Sequence, residues 1–444
     1  MKKINAKKFV SIVFICLTIF FMGSIGTKLV LTKVFHIYPE ANAAEAQPDG
    51  TESPTYDWSA EYPFSGDYGF SYVADENATA ETTEVKLSPV RQFENYIRGL
   101  EGKVDYYTSN LLLGRMKFVE FNASFNKLVG MNIVSGTDSV IVMRNGYLTF
   151  RSSPDNMDYA VQSTSYFAQT LKEKNINFLY VQCPTKENPS DNQLPHGVDD
   201  YYNINADSLT KGLAENNVPY IDLRDSLNAD FDDYYSHFFK TDHHWTPETG
   251  VWAAGKIADK LNAEYNLNID TSIGNLKNYN VEVFENYCLG SQGKKATLKY
   301  ADPEDISLIY PKKTTDFTVT YDNSTPLTGK FEDTLLRRDV FDKIDYYNIS
   351  TYSAYLHGNH SLTKIHNNKV GNGRKMLYIM DSFSASVIPY IATEIEDMII
   401  LDRRSFNGSV MNVIEKFSPD TVVVAYNPST MSSNMTHSGT FNFE

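Results

Sequence analysis

Two short stretches of this chain carry the side-chain types that acyl transfer requires. Asp242 and His244 lie two positions apart in Asp242-His243-His244-Trp245, and Ser382 lies in Met380-Asp381-Ser382-Phe383-Ser384, about 140 residues later. A serine hydroxyl is a weak nucleophile at neutral pH, so it needs a base beside it, and a histidine base needs a third group to hold its tautomer. In an extended segment Asp242 and His244 point the same way, so the carboxylate can accept from the imidazole N–H. These residues predict an enzyme of acyl transfer or ester hydrolysis, with Ser382, His244 and Asp242 as its catalytic groups.

The elements around Ser382 indicate how its hydroxyl is positioned. Residues 375–381 have the pattern of a strand and residues 385–394 mostly that of a helix, so Ser382 is predicted at the carboxyl end of a strand, where open α/β sheets bind ligands. The first N–H groups of the following helix would point to the same place and suit an oxyanion. The alternative is that Ser382 or Ser384 only caps that helix, as serine often does.

A metal site is the alternative for the Asp-His-His stretch. Its residues resemble the signature of a phosphoesterase family that holds divalent metal ions. That family also needs aspartates on an earlier strand, and Asp222, Asp225 and the pair Asp232-Asp233 do not lie in a convincing context. The prediction is therefore that the enzyme uses neither a metal ion nor another cofactor.

The rest of the chain predicts an α/β fold. From about residue 138, short apolar runs alternate with helical stretches, which is typical of a parallel sheet covered by helices on both faces. We expect a first part over 89–264, an insertion over 265–370 that is polar and rich in turns, and a second part over 371–444 that holds the serine. Arg144-Asn145-Gly146 predicts a hairpin turn.

Helical spacing of apolar residues predicts one or two amphipathic helices over 89–130. Further along the chain, Thr246 is expected to cap a helix over 247–261 that has Pro247 at its first position. The insertion over 265–370 is either part of a binding surface or an excursion without function.

Composition limits the class of partner. The chain has 444 residues, enough for two or three units, and a formal net charge of −15. Such an acidic chain argues against a nucleic-acid partner, which would require a basic face. Cys183 and Cys288 are either free or paired, and their spacing does not decide between the two.

The N-terminus predicts where the protein works. Lys2, Lys3, Lys7 and Lys8 precede residues 9–26, an uncharged apolar run whose eighteen residues would span roughly 27 Å as a helix. We expect a cytoplasmic leader and transmembrane anchor over 1–30, a flexible extracellular spacer over 31–88, and a catalytic part outside the cell membrane. A cleaved signal peptide is the alternative, although Ala41-Asn42-Ala43 lies far beyond the apolar run.

These motifs resemble the SGNH-type domain of proteins that O-acetylate exopolysaccharides, the alginate acetylation proteins and their DHHW relatives. Asp242 and His244 match an Asp-x-His-Trp motif that precedes the serine, so the motif order is permuted relative to ordinary SGNH esterases, and Ser382 matches the nucleophile. The similarity covers roughly residues 89–427. Lesser matches are Arg144-Asn145-Gly146-Tyr147-Leu148, Pro184-Thr185-Lys186, Leu289-Gly290-Ser291-Gln292-Gly293, Asp402-Arg403-Arg404 and Pro419-Asp420.

The resemblance implies an SGNH hydrolase-like fold and a two-step reaction through an acetyl-serine. It also implies a membrane-bound O-acyltransferase as acetyl donor and a cell-surface polysaccharide as acceptor. The ordinary SGNH oxyanion motifs cannot be located, so the Ser382 N–H and the side chains of Arg404, Lys186 and Trp245 are the candidates for oxyanion or substrate contacts. A polysaccharide O-acetylesterase of the same fold and a non-catalytic glycan-binding or assembly component remain as alternatives.

Overall fold

The computed structural model describes residues 70–72, 84–86, 115–133, 140–431 and 439–443. The expected anchor over 1–30 lies outside these residues, as do most of the spacer over 31–88 and the start of the expected helical region. Among the described residues, no helix is both long enough and apolar enough to cross a bilayer.

The chain divides into two units, residues 1–44 with 52–122 and residues 45–51 with 123–444. In the first unit the described parts are an antiparallel pair of strands, β1 (Phe70–Tyr72) and β2 (Glu84–Lys86), and the beginning of helix α1 (Arg115–Leu128). The predicted catalytic residues and the candidates for substrate contacts all lie in the second unit.

The second unit opens with the predicted hairpin. Strands β3 (Val140–Val142) and β4 (Leu148–Phe150) pair antiparallel around Gly146, whose φ of 84° explains why glycine occupies the turn. The remaining strands are β5 (Asn177–Gln182), β6 (Tyr220–Asp222), β7 (Tyr279–Cys288), β8 (Glu304–Pro311), β9 (Phe317–Tyr321), β10 (Leu327–Gly329), β11 (Leu362–Asn367), β12 (Lys375–Met380), β13 (Asp397–Asp402) and β14 (Thr421–Tyr426).

Helices alternate with these strands. They are α2 (Asp158–Glu173), α3 (Tyr201–Glu215), α4 (Leu223–Asp230), α5 (Pro247–Tyr265), α6 (Ser291–Ala296), α7 (Phe331–Thr334), α8 (Ile388–Ile391) and α9 (Val410–Phe417). Helix α5 begins as the sequence predicts, because the Thr246 side chain accepts from the Thr249 N–H and Pro247 occupies the first helical position.

The central sheet carries apolar side chains on both faces. In β5, Leu179 and Val181 belong to one core together with residues of α5, whereas Phe178 and Tyr180 belong to a second core with residues of α2, α3 and α9. Because strand side chains alternate between faces, a continuous apolar strand such as β5 contributes to both cores. The fold is therefore the expected α/β arrangement of a sheet between helices.

The expectation of a parallel sheet is correct for only part of it. Within the described residues the central sheet has eight strands in the order β10-β9-β11-β13-β12-β14-β5-β6. The strands from β13 to β6 pair parallel, whereas β11, β9 and β10 add antiparallel to the edge beside β13. These three strands come from the segment expected as an insertion, which lacks the long crossover helices that parallel pairing requires. Part of the segment therefore belongs to a mixed central sheet, whereas its strands β7 and β8 pair antiparallel in a separate two-stranded sheet.

Candidate active site

The candidate site lies where the parallel strands end. The residues that follow these carboxyl ends at one edge of the sheet are Thr185 and Lys186 after β5, Ser382 after β12, Arg403 and Arg404 after β13, and Asn427 after β14. This is the edge at which open α/β sheets bind ligands. The loop that leads into α5 brings Asp242 and His244 to the same place.

The three predicted side chains form one hydrogen-bonded chain. His244 Nδ1 lies 2.5 Å from Asp242 Oδ1, and His244 Nε2 lies 2.8 Å from Ser382 Oγ. Asp242 and His244 are buried, and Ser382 is 9% exposed. A carboxylate on one ring nitrogen fixes the tautomer whose other nitrogen can take a proton from the hydroxyl. The arrangement has the geometry that nucleophilic attack by serine requires.

The Asp242 carboxylate is held ionised. Burial by itself would raise its pKa, but the neighbouring His243 and His244 and the hydrogen bonds from His244 and the Ser291 N–H hold that pKa well below its usual range. The Ser291 N–H donates to Oδ2 over 2.7 Å, and the His244 N–H donates to Oδ1 over 3.0 Å. A carboxylate that stays charged at neutral pH can stabilise an imidazolium on His244.

Ser382 is placed by a cap that the sequence pattern did not reveal. Asp381 Oδ1 accepts from the Phe383 N–H over 2.9 Å, and Asp381 Oδ2 accepts from the Asn427 N–H over 2.5 Å. The aspartate therefore caps the turn, which leaves the Ser382 hydroxyl available to His244. The expected helix over 385–394 is instead a 3₁₀ turn (Ser382–Ser386) followed by the short α8, because Pro389 can occupy only the first turn of a helix.

Hydrogen bonds from the segment over 265–370 hold the loop that carries Asp242, and we call this contact the Glu304 clamp. Glu304 of β8 accepts from the Lys240 N–H at 2.6 Å and from the Thr241 N–H at 2.7 Å. The Gly290 N–H donates to Thr241 Oγ1 over 3.0 Å. Sequence reasoning missed Glu304, because no local motif connects a strand carboxylate with a loop 63 residues earlier.

Gly290 is required by this close approach, and we expect Gly290→Ala to damage the site. A Cβ on Gly290 would lie 2.1 Å from the Asp242 Cβ and 2.3 Å from its Cα, so the backbone must move. Since misplacing a catalytic group by about 1 Å can cost about 10²-fold in rate, we expect a loss of that order in the acylation rate with an activated aryl acetate. Gly371→Ala is the matched control, because a Cβ there meets nothing within 4 Å. A Gly290→Ala rate equal to that of the control would contradict this role.

His243 has a different environment from His244. Its Nδ1 lies 2.8 Å from Ser291 Oγ, and burial together with the nearby His244 lowers its pKa to about 3, which keeps it neutral at neutral pH. Asp242, His243 and His244 each offer a ligand atom within 4.8 Å of the others, so a metal ion could be held there. Such an ion would need a nitrogen of His244, both of which already face Asp242 and Ser382. The hydrogen bonds therefore favour acyl chemistry over the metal alternative.

A cavity of about 360 Å³ adjoins the site. Its lining includes His243 and Asn427 but not Ser382, so the cavity accommodates a group beside the reacting atoms. Its walls are polar and cationic, and no carboxylate is found among the described side chains that line it. They are Thr149, Phe150, Thr185, Lys186, Tyr202, His243, Gln292, Arg403, Arg404, Asn407, Asn427, Ser429 and Thr440.

Two of the three side chains expected to contact an oxyanion or substrate line this cavity. Lys186 is buried, its Nζ donates to Gln292 Oε1 and to the Lys240 carbonyl, and burial lowers its pKa to about 8. Arg404 follows strand β13, and its Nη2 lies 2.6 Å from Asp402 Oδ2. Both therefore lie where a substrate group could reach them.

Trp245 does not line the cavity. Its side chain is fully buried, and its indole N–H donates to the Phe383 carbonyl over 2.9 Å and lies 3.0 Å from Ser386 Oγ. Trp245 thus stabilises the turn that carries Ser382 by hydrogen bonding from inside the core. Trp245 was expected to contact the substrate, but it contacts the turn Ser382–Ser386 instead. A large apolar side chain is most stable inside the core.

Cys183 and Cys288 are both buried and free. Burial raises the pKa of each thiol, so neither is a nucleophile at neutral pH. The question that their spacing left open is thereby answered against a disulfide.

Comparison with known proteins supports this fold. Residues 135–286 match the family model of the SGNH hydrolase-like domain of the acetyltransferase AlgX, a stretch that includes Asp242 and His244 and ends before Ser382. No curated protein gives a significant match. This stretch is therefore similar to an SGNH hydrolase-like acetyltransferase domain, and the resemblance stated from the motifs is confirmed for residues 135–286.

Two solved structures share the fold at low sequence identity. Bacillus cereus PatB1 with a sulfonyl adduct is 20% identical, covers 70% of this chain and 100% of its own, and superposes with a TM-score of 0.58. A DHHW family protein from Eubacterium siraeum is 20% identical, covers 68% of this chain and 95% of its own, and has a TM-score of 0.50.

Proposed function

We propose that this protein is an O-acetyltransferase that acts on a cell-surface polysaccharide outside the cell membrane, with Ser382 as nucleophile, His244 as base and Asp242 as the group that orients His244. The observation that carries the proposal is the continuous hydrogen-bonded chain from Asp242 through His244 to Ser382. The match to an acetyltransferase domain over 135–286 supports acetyl as the transferred group.

The reaction proceeds in two steps. His244 Nε2 takes the proton from Ser382 Oγ as that oxygen attacks the carbonyl carbon of an acetyl ester, and the N–H of Ser382 stabilises the oxyanion. The tetrahedral intermediate collapses, the leaving alcohol receives the proton from His244, and acetyl-Ser382 remains. A sugar hydroxyl then gives its proton to His244 and attacks the acetyl carbon. The bond from that carbon to Ser382 Oγ breaks as Oγ takes the proton back from His244, which yields the acetylated sugar and the free serine.

The cavity is the proposed binding site for the acceptor sugar. Its volume lies near the small end of ligand pockets, which suits one or two sugar units of a longer chain. Lys186, Arg403 and Arg404 give it a positive lining although the whole chain has a net charge of −15. A glycan that carries anionic groups fits such a lining best.

The acetyl donor is suggested by the family resemblance and the location by the N-terminal segment, and both are proposals of the same kind. A helix over residues 9–26 would hold the enzyme at the outer surface, and a membrane-bound O-acyltransferase would deliver the acetyl group there. Tethering both proteins to one membrane raises the effective concentration of donor and enzyme.

The proposal is tested by acetyl transfer with the full-length protein in detergent. An activated aryl acetate serves as donor and a cell-surface polysaccharide as acceptor, and both acetylated glycan and free acetate are measured. We expect acetylated glycan to form in preference to acetate. If acetate alone is released with every acceptor offered, the protein is an acetylesterase, because water then takes the place of the sugar hydroxyl. The absence of both products would support the non-catalytic alternative.

The positive lining predicts a specific effect of Arg403→Gln. The Arg403 guanidinium donates to the carbonyls of Phe406 and Gly408 over 2.8 and 2.9 Å, and no carboxylate is among its described hydrogen-bond partners. Because its charge stays available to a ligand, we expect the variant to raise the KM for an anionic glycan about 10-fold, which corresponds to a lost interaction of about 1.4 kcal/mol. Arg337→Gln is the control, since Arg337 pairs with Asp339 outside the cavity. An unchanged KM in Arg403→Gln would remove Arg403 from the acceptor site.

A further inference from the structure

An aromatic ring from the segment over 265–370 lies flat against the proposed catalytic histidine. The Tyr352 ring and the His244 imidazole have centroids 3.9 Å apart and planes only 11° from parallel. Tyr352 belongs to a 3₁₀ turn (Thr351–Ala354) and is 5% exposed. Its ring is therefore fixed by the core around it.

The hydroxyl of the same tyrosine reaches the turn that carries Ser382. Tyr352 Oη donates to the Phe383 carbonyl over 3.2 Å and lies 3.0 Å from Ser386 Oγ. The Trp245 indole N–H approaches the same two acceptors. One side chain thus contacts the imidazole with its ring and the serine turn with its hydroxyl.

The stacked ring of Tyr352 restrains a motion of the His244 imidazole that the Asp242 carboxylate leaves free. The hydrogen bond that His244 Nδ1 donates to Asp242 holds one nitrogen of the ring, but the ring could still tilt about that bond and move Nε2 away from Ser382 Oγ. A parallel ring at 3.9 Å blocks tilting toward its own side. The electron-rich face of the tyrosine also attracts the imidazolium that forms during catalysis.

We propose that Tyr352 is a positioning residue for acyl transfer, which sets the His244 ring against Ser382 by stacking on the imidazole while its hydroxyl anchors the serine turn. This inference rests on the proposed serine chemistry. It assigns the segment over 265–370 a part in the reaction itself, because that segment then supplies the stacking ring of Tyr352 as well as the clamp made by Glu304.

The test is the burst of product that an activated aryl acetate gives with the full-length protein. The burst amplitude counts the folded and competent sites, whereas the burst rate constant reports how well His244 and Ser382 are aligned. Tyr352→Phe keeps the ring and loses the hydroxyl, Tyr352→Leu removes the ring, and Tyr352→Met fills more of the space with a flexible chain. We expect Tyr352→Phe to stay within about 5-fold of the parent and the other two to lose about 10²-fold in rate constant at unchanged amplitude.

Tyr355→Phe is the matched control. Tyr355 is buried and directly follows the 3₁₀ turn that holds Tyr352, and its hydroxyl donates to the Ser307 carbonyl over 2.7 Å. Its variant should change stability without changing the burst rate constant. If Tyr352→Leu or Tyr352→Met lowers only the amplitude, Tyr352 serves folding alone and the inference is wrong. It is equally wrong if Tyr352→Phe is as slow as Tyr352→Leu, because the stacking ring would then contribute nothing.

Failure of this inference can be told apart from failure of the proposed function. If Ser382→Ala retains the burst, the serine chemistry itself is wrong and the Tyr352 variants have no burst from Ser382 to affect. If Ser382→Ala abolishes the burst while Tyr352→Leu retains the parental rate constant, the proposed function stands and the positioning role falls.

Discussion

Replacing Ser382 with alanine should abolish acetyl-enzyme formation and reduce acetyl transfer by roughly 10⁴-fold or more. The reason is geometric. Ser382 Oγ is the oxygen that lies 2.8 Å from His244 Nε2, and alanine leaves the base without a proton to take. Intact-mass measurement after incubation with an activated aryl acetate should give one added acetyl group on the parent protein and none on the variant. Peptide mapping should place that group on Ser382.

Ser384→Ala is the matched control for that experiment. Ser384 is a buried serine in the same turn, and its Oγ lies 3.4 Å from the Tyr378 hydroxyl, away from the imidazole. We expect this variant to keep acetylation within about 5-fold of the parent, as is usual when only a weak neutral hydrogen bond is lost. Acetylation that persists in Ser382→Ala and disappears in Ser384→Ala would transfer the nucleophile to Ser384 and overturn the proposed mechanism. A sulfonyl fluoride should label the same serine that the acetyl group modifies.

The second large effect is expected for Asp242→Asn. The native carboxylate accepts from His244 Nδ1 and from the Ser291 N–H, whereas an asparagine has only one acceptor oxygen and adds a donor. Either the tautomer of His244 reverses or the contact with Ser291 is lost. We expect a fall in the burst rate constant of about 10³- to 10⁴-fold, measured against Asp397→Asn as control.

Asp397 suits this control because it pairs with a histidine outside the site. Its Oδ1 lies 2.8 Å from His366 Nδ1, and His366 is exposed at the other end of the sheet. Loss of this pair should leave the burst unchanged. If Asp242→Asn and Asp397→Asn have equal rate constants, Asp242 has no role in orienting the base.

The same variant tests the electrostatics of the site. The pKa of Asp242 is held well below the ordinary 3.8 in the folded state, so its ionisation stabilises the fold above that pH, and this contribution is lost as the pH falls through the folded-state pKa. Asp242→Asn should therefore have a free energy of unfolding that depends less on pH below about 4 than that of the parent. Parallel curves for the two proteins in acid would contradict the depressed pKa.

Local patterns predicted the parts of the fold that depend on neighbouring residues. The apolar runs that became β5, β12, β13 and β14 were identifiable because a strand buried on both faces needs almost continuous apolar residues. The Thr246 cap was identifiable because a cap acts over three residues. The hairpin around Gly146 was identifiable because its turn demands a positive φ.

Features that depend on distant residues were not predictable in this way. The sequence predicts an insertion over 265–370, and the structure places β9, β10 and β11 of that segment antiparallel at an edge of the central sheet. Nothing in a short alternating strand states which edge it will join. Glu304 holds the loop at Thr241, and Tyr352 stacks on His244. Both partners are distant in the chain. Trp245 is one of the candidates that the sequence offers for an oxyanion or substrate contact, yet its indole N–H donates to the Phe383 carbonyl inside the core.

Residue types and apolar periodicity act locally, so they are sufficient to predict the chemical groups, the strand that leads to Ser382 and the edge of the sheet at which the groups meet. The contacts that hold these groups in register depend on how the whole chain packs: the contact of Asp381 with the Asn427 N–H, the Glu304 clamp, the close approach at Gly290 and the ring of Tyr352. Each of these contacts joins segments that are separate in sequence or face one another across the site. Their partners are therefore set by how the chain packs as a whole, and a pattern of neighbouring residues does not encode them.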